Sequence, residues 1–164
     1  HVHPMHSMHY IENRLLPEIE QGAQLAGRES SDVDLIVPVF AVAGDTAEER
    51  APWVHRAKTQ IAFYGTTPNY SFQFEDLGFE GVTTALRDKM GAGDLQGMAD
   101  TISDDMLDHF ALVSTWNEMA DRLKDRYEGT ASRVVMYLTE EQMRKDPESV
   151  DKWGEVARAS RSKK

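Results

Sequence analysis

The one long apolar run in the chain is Val33-Asp34-Leu35-Ile36-Val37-Pro38-Val39-Phe40-Ala41-Val42-Ala43, closed by Gly44-Asp45-Thr46. Val33, Leu35, Val37, Val39, Ala41 and Ala43 fall on one parity; Ile36, Phe40 and Val42 make the other parity apolar too. A strand that is apolar on both parities is covered on both faces, as parallel strands flanked by helices are. Each Leu, Ile, Val or Phe fully buried here contributes roughly 1.5–3 kcal/mol, so this run organises the core. Pro38 is the misfit. It has no N–H for a ladder, which predicts either a bulge or a donor side without a partner.

The rest of the pattern is mostly helical. Ile11, Leu15, Ile19, Ala23 and Ala26 form one stripe, with Pro17 inside it as a kink or break and Gly27 as its stop. After the strand, Thr46-Ala47-Glu48-Glu49 reads as a capping box for a helix that buries Val54, Ala57 and Ile61 and runs to about Tyr64. Gly65-Thr66-Thr67-Pro68-Asn69-Tyr70 then breaks it. From Ser71 to Phe110 short helical pieces follow one another with no convincing strand, an excursion longer than ordinary α/β connections. Ala111–Ser114 is a short extended stretch leading to a second capping box, Thr115-Trp116-Asn117-Glu118, and to a helix striped by Met119, Leu123 and Tyr127. Val134–Leu138 is apolar on both parities and predicts a second buried parallel strand. Two helical pieces close the chain, the second opening at Asp146-Pro147. These are too few strands for a complete sheet domain, and edges are left bare.

Composition narrows the chemistry. A chain of 164 residues has the length of one domain. It contains no cysteine, which removes disulfides, thiolate catalysis and cysteine-held metals together, and fits a reducing compartment. A net charge of −10 argues against nucleic acid, because phosphate contacts need clustered Lys and Arg. The exception, Arg158, Arg161, Lys163 and Lys164, reads as a solvated end. No apolar segment approaches the ~20 residues of a membrane span, and the expected location is the cytoplasm. The sequence opens at His1 without a methionine, which suggests processing or a piece of something longer.

Candidate chemistry gathers at the start, in His1-Val2-His3-Pro4-Met5-His6-Ser7-Met8-His9. A free amino terminus with histidine third can chelate copper or nickel, but no acidic residue appears before Glu12 and a closed zinc site lacks ligands. No metal site is assigned. His55 and His109 read as solvated or structural, and Asp104, Asp105 and Asp108 as acids complementing a helix dipole. Gly91-Ala92-Gly93 follows a helix rather than a strand, so it is not a phosphate loop.

Several of these segments carry a family resemblance. They are His1–Ser7, Leu16-Pro17-Glu18-Ile19-Glu20, Val37-Pro38-Val39-Phe40 with Gly44-Asp45, and Gln60–Gly65 through Thr67-Pro68 to Tyr70. Asp104-Asp105-Met106-Leu107-Asp108 and the Val134–Leu138 strand complete the set. The chain resembles the C-terminal part of a luciferase-like monooxygenase, closest to the branch using the 8-hydroxy-5-deazaflavin coenzyme (coenzyme F-420). That resemblance implies an α/β fold, the C-terminal portion of a (β/α)8 TIM barrel that is incomplete as an isolated chain. Residues 1–32 would be the end of strand six and its helix, 33–114 strand seven with a helical insertion, and 115–164 a helix, strand eight and the closing helices. A whole barrel needs about 250 residues, so a missing N-terminal barrel half, or a homo-oligomer, is the expected partner.

The resemblance further implies an oxidoreductase that moves hydride between coenzyme F-420 or FMN and a small organic substrate. Barrel sites lie at the C-terminal ends of strands. On this reading His3 and His6 are the catalytic candidates, suited to proton exchange by a near-neutral pKa. His3, Pro4, Ala43 and Gly44 would meet the coenzyme, and Phe40, Tyr64, Tyr70 and Tyr137 would shape the substrate pocket, with Tyr64–Tyr70 as a lid. The alternative is a non-catalytic fragment or oligomerising interaction module that pairs its strand edges with another chain.

Overall fold

Three parallel strands, β1 (Ile36–Ala43), β2 (Ala111–Ser114) and β3 (Arg133–Tyr137), form one sheet in the order β2-β1-β3. This computed structural model describes residues 1–161, so the tail read at Arg158–Lys164 lies, beyond Arg161, outside the described residues. Helices α1 (Met8–Tyr10) and α2 (Leu16–Leu25) precede β1. Between β1 and β2 come α3 (Ala47–Gly65), α4 (Phe72–Glu75), α5 (Val82–Gly91), α6 (Leu95–Thr101) and α7 (Asp104–Phe110). Helix α8 (Trp116–Tyr127) joins β2 to β3, and α9 (Thr139–Lys145) and α10 (Glu148–Ala159) follow.

The two apolar parities of β1 build two cores. Val37, Val39, Ala41 and Ala43 pack with Leu112 against Met119 and Leu123 of α8 and Trp153 and Val156 of α10. Phe40 and Val42 pack with Ala111 against Ala57 and Ile61 of α3, Leu86 of α5 and Phe110 of α7. The short stretch at Ala111–Ser114 is thus a third strand, recruited by Phe40–Ala43. β1 is shorter than its apolar run, and β3 is shifted one residue toward the N-terminus from its own. β3, expected to be buried, has no fully buried residue, because its outer edge and one face lack a covering element among the described residues. Residues 30–32 form a 3₁₀ turn and Val33 is exposed, so β1 begins at Ile36. Leu138 takes a left-handed φ of 67°, which ends β3 at Tyr137.

The ladder explains Pro38. The Leu35 carbonyl accepts the N–H groups of Ser132 and Arg133, so odd residues of β1 turn their backbone toward β3. Even residues turn the other way: Val2 N–H donates to the Ile36 carbonyl at 2.9 Å, and Gly44 N–H to the Ser114 carbonyl at 3.2 Å. On that side β2 pairs only from Phe40 onward. Pro38 sits where the Val2 contact has ended and β2 has not begun, so its missing donor leaves no acceptor orphaned.

Proline is absorbed differently in the first helix. Pro17 has no N–H for the helix ladder, and the chain meets it with a π-helical turn over Ile11–Leu15 that runs directly into α2. Of the two capping boxes, Thr46 accepts the Glu49 N–H at 3.2 Å, whereas Thr115 instead donates its hydroxyl to the Glu118 carboxylate at 2.9 Å. Gln142 ties α9 and α10 to the sheet, donating to the Ala43 carbonyl at 3.0 Å and accepting the Trp153 indole N–H at 3.1 Å.

The N-terminal arm is anchored through His6, which is 1% exposed. Its Nδ1 lies 2.9 Å from the His3 carbonyl, which can only accept, so Nδ1 carries the proton and Nε2 accepts from the Tyr127 hydroxyl at 3.2 Å. Burial lowers the His6 pKa from 6.5 to about 4. In that window the unfolded chain binds a proton that the folded chain does not. This contribution to stability is therefore whole above pH 6.5 and is lost as pH falls toward 4, at about 1.4 kcal/mol per unit.

Two outcomes follow for unfolding measurements. The stability difference between wild type and His6→Gln should stay constant above pH 6.5 and shift by about 3 kcal/mol against the wild type by pH 4; a flat difference across that range rejects the neutral buried imidazole. At Gly65, an added Cβ would meet Leu86 Cδ1 at 2.7 Å and Phe74 Cε2 at 2.9 Å. Gly65→Ala should cost about 1–3 kcal/mol in urea unfolding through overpacking, although alanine is the better helix former.

Candidate functional site

Five of the aromatic and histidine residues singled out from the sequence converge on the Phe40 face of the sheet. The His3 ring lies 4.7 Å from Tyr64, edge-on at 78°, and 4.9 Å from Tyr70 at 34°. Phe40 and Tyr137, partners in the β1–β3 register, have ring centroids 5.5 Å apart. Tyr64 joins the two groups, because its hydroxyl interacts with that of Tyr137 and with the Gln60 side chain. Gln60 precedes Tyr64 by four residues, one turn along the same face of α3.

Local structure sets each position. His3 stands just past Val2, which binds the start of β1, and Pro4 lies in the bend that carries the chain from one core to the other. Tyr64 is on the last turn of α3, and Tyr70 ends the 3₁₀ turn Pro68–Tyr70 that follows it. Tyr137 ends β3, immediately before the left-handed Leu138. Such a conformation in a leucine costs about 1–3 kcal/mol and persists because the surrounding packing holds it.

Charge state follows from the contacts. The Met5 N–H donates to His3 Nδ1 at 3.1 Å, so this nitrogen is unprotonated and the neutral ring carries its proton on Nε2. Burial lowers the His3 pKa below its ordinary 6.5, in the same sense. His3 is thus a neutral ring whose Nε2–H can donate. The Tyr64 hydroxyl is pushed up to about 12, first by its hydrogen bond with Tyr137 and then by burial, and stays protonated at neutral pH.

Three sequence candidates lie apart from this group. His6 is buried against Tyr127 with both ring nitrogens engaged, so it cannot exchange protons at an open mouth. It positions His3 instead, by holding the His3 carbonyl. Ala43 is fully buried on the opposite face, and its carbonyl is taken by Gln142. Gly44 is buried too: its N–H goes to Ser114 and its carbonyl accepts from Arg50 at 2.6 Å. Gly44 therefore offers no free backbone donor to a ligand phosphate, and Ala43 is closed off by burial. Gln60 and Tyr127 were missed because sequence shows one as a polar helix residue and the other as part of an apolar stripe, without their partners.

Beneath Phe40 and Tyr137 the same face is open. Ile36 and Pro38 are half-buried, and their register partners Arg133 and Val135 are exposed, Val135 at 42%. A groove of about 710 Å³ lies on the other face between α8, α10 and β3, lined by Leu123, Tyr127, Val134 and Met136. It is not part of the aromatic group. Among the described residues no helix is long and apolar enough to cross a membrane.

Comparison with known proteins agrees with the parallel α/β arrangement. The sequence model of a family described as luciferase-like monooxygenase matches residues 1–133. Uncharacterized proteins of Mycobacterium bovis and of two Mycobacterium tuberculosis strains are each 32% identical over 133 residues, 81% of this chain. The matched segment spans 39% of the length of those relatives. With its fold and the larger part of its length accounted for in this way, the chain belongs to the luciferase-like monooxygenase family.

Proposed function

We propose that this chain is the C-terminal part of a (β/α)8 oxidoreductase that moves hydride between a flavin-type coenzyme, coenzyme F-420 or FMN, and a small organic substrate. The observation that carries this reading is a neutral histidine held between two tyrosines beside the open, apolar half of a parallel sheet. β1 and β3 would be barrel strands seven and eight, and the longer chains of the relatives have room for the strands that would cover Ile36, Pro38 and Val135.

The residues fit the ring portion of such a coenzyme. Tyr70 and Tyr137 offer half-buried aromatic faces, His3 and Tyr64 offer polar atoms beside them, and the buried Phe40 backs Tyr137 from the core. Ala43 and Gly44 do not fit the phosphate-bearing portion, so that portion would be held by other residues. When bound, the coenzyme supplies the hydride chemistry. The protein then has three tasks. His3 Nε2–H orients and polarises an acceptor atom of substrate or ring. Tyr64, kept protonated, and Tyr137 fix the border of the pocket. Tyr70, over His3, excludes water. Proton uptake at His3 Nδ1 would first have to break the Met5 contact.

Titration of coenzyme F-420 and of reduced FMN against the full-length protein tests the proposal; binding of neither would remove it. With the binding coenzyme present, His3→Ala should lower kcat by about 100-fold, the scale of one lost preorganised donor. A variant with unchanged turnover would remove His3 from the chemistry.

A second reading has its own support in the outer edge of β3, unpaired among the described residues, and the exposed Val135, which suit self-association. Light scattering over a dilution series checks it, and a persistent monomer would dismiss it.

A further inference from the structure

We infer that Arg14 and Asp76 are positioning residues that hold Tyr70 down on His3. The inference deepens the oxidoreductase reading, since it takes His3 as the working group. Its basis is a clamp of four side chains far apart in sequence. Arg14 Nε donates to Asp76 Oδ2 at 2.6 Å and its Nη2 to Asp76 Oδ1 at 2.7 Å, a bidentate fork. The same guanidinium lies 4.9 Å from the centre of the Phe72 ring, and the Tyr10 ring also packs on Phe72, 5.6 Å between centroids.

The clamp closes on one segment. Tyr70 ends the 3₁₀ turn, Phe72–Glu75 is α4, and Asp76 follows directly. From the other side, the N-terminal arm touches this segment twice, through His3 on Tyr70 and through Tyr10 and Arg14 on Phe72 and Asp76. The π-helical turn over Ile11–Leu15 contains Arg14 and adjoins Tyr10, so the departure from α-helical winding falls on the residues that reach across. Inside a helix such turns are uncommon and are found frequently at functional sites.

The arrangement has a physical consequence. Tyr70 belongs to a short, loop-flanked piece, and its neighbours Pro68 and Asn69 bring little buried area to hold it. Phe74, buried against Phe110, anchors the segment in the core, and the fork adds a second hold at its far end, on the side facing the N-terminal arm. Arg is the residue suited to such a clamp, because its planar head can pair with a carboxylate and cover an aromatic face at once. Lysine would keep the charge and lose the fork.

The test needs no coenzyme. In the full-length protein with labelled histidines, NMR follows the titration of His3, assigned with a His3→Gln variant. The titratable groups packed against its ring are Tyr64 and Tyr70. In Arg14→Gln and in Asp76→Asn the His3 midpoint should rise toward that of an exposed imidazole, while the circular dichroism is unchanged. Arg14→Lys should give an intermediate midpoint and serves in place of Arg14→Gln if that variant does not fold. A His3 midpoint equal to wild type in the folded variants overturns the inference. That result would leave coenzyme binding untouched, and failure to bind either coenzyme would leave the clamp standing.

Discussion

A single strand paired on both sides and covered on both faces is the constraint from which the rest follows. Within β1, Val37 and Val39 are fully buried on one face and Phe40 and Val42 nearly so on the other. Two separate helical layers are therefore required, α8 with α10 on one side and α3 with α5 to α7 on the other. Parallel pairing fixes which strand ends lie together, and so brings Phe40 and Tyr137 side by side. The cost of a proline in such a strand is avoided because its backbone turns toward a gap between two short partners.

The N-terminal arm depends on that sheet and in turn organises the site. Val2 bonds to the start of β1, and the chain then turns through Pro4 into a helix whose first residues reach over to α4. Within the turn the two histidines divide the work. His6 is buried, neutral and locked to Tyr127, and it holds the His3 carbonyl; His3 keeps one ring nitrogen available beside Tyr64 and Tyr70. Desolvation acts on both rings in the same direction and far more strongly on the deeper one. A polar residue that is fully satisfied in this way is a scaffold, whereas a partly satisfied one beside an open apolar face is where chemistry can be done.

Local pattern was enough for much of this. The two-sided apolar runs showed two parallel strands, of which helices bury β1 while β3 keeps Val135 exposed. The excursion from Ser71 to Phe110 is helices joined by turns, as its glycine-punctuated pieces implied. The family resemblance drew His3, Phe40, Tyr64, Tyr70 and Tyr137 into one pocket; in the structure the five share a face, with Phe40 buried in the core beneath Tyr137. It also named His6, Ala43 and Gly44, which packing has closed off. Ala111–Ser114 reads only as a short extended stretch because four residues carry too little periodicity to fix a partner; pairing with Phe40–Ala43 makes it a strand of the sheet.

What the sequence determined by itself was the set of faces: which residues avoid water, at which period, and where each element stops at glycine, proline or a capping hydroxyl. Those are properties of neighbours along the chain, and short-range sterics and solvation suffice to express them. What only the tertiary structure decided was who meets whom across long separations. Tyr127 lies 121 residues from His6, Gln142 lies 99 from Ala43, and Asp76 lies 62 from Arg14. Burial and ionisation at each of those pairs depend on atoms brought in by the fold, so no reading of local sequence could assign them.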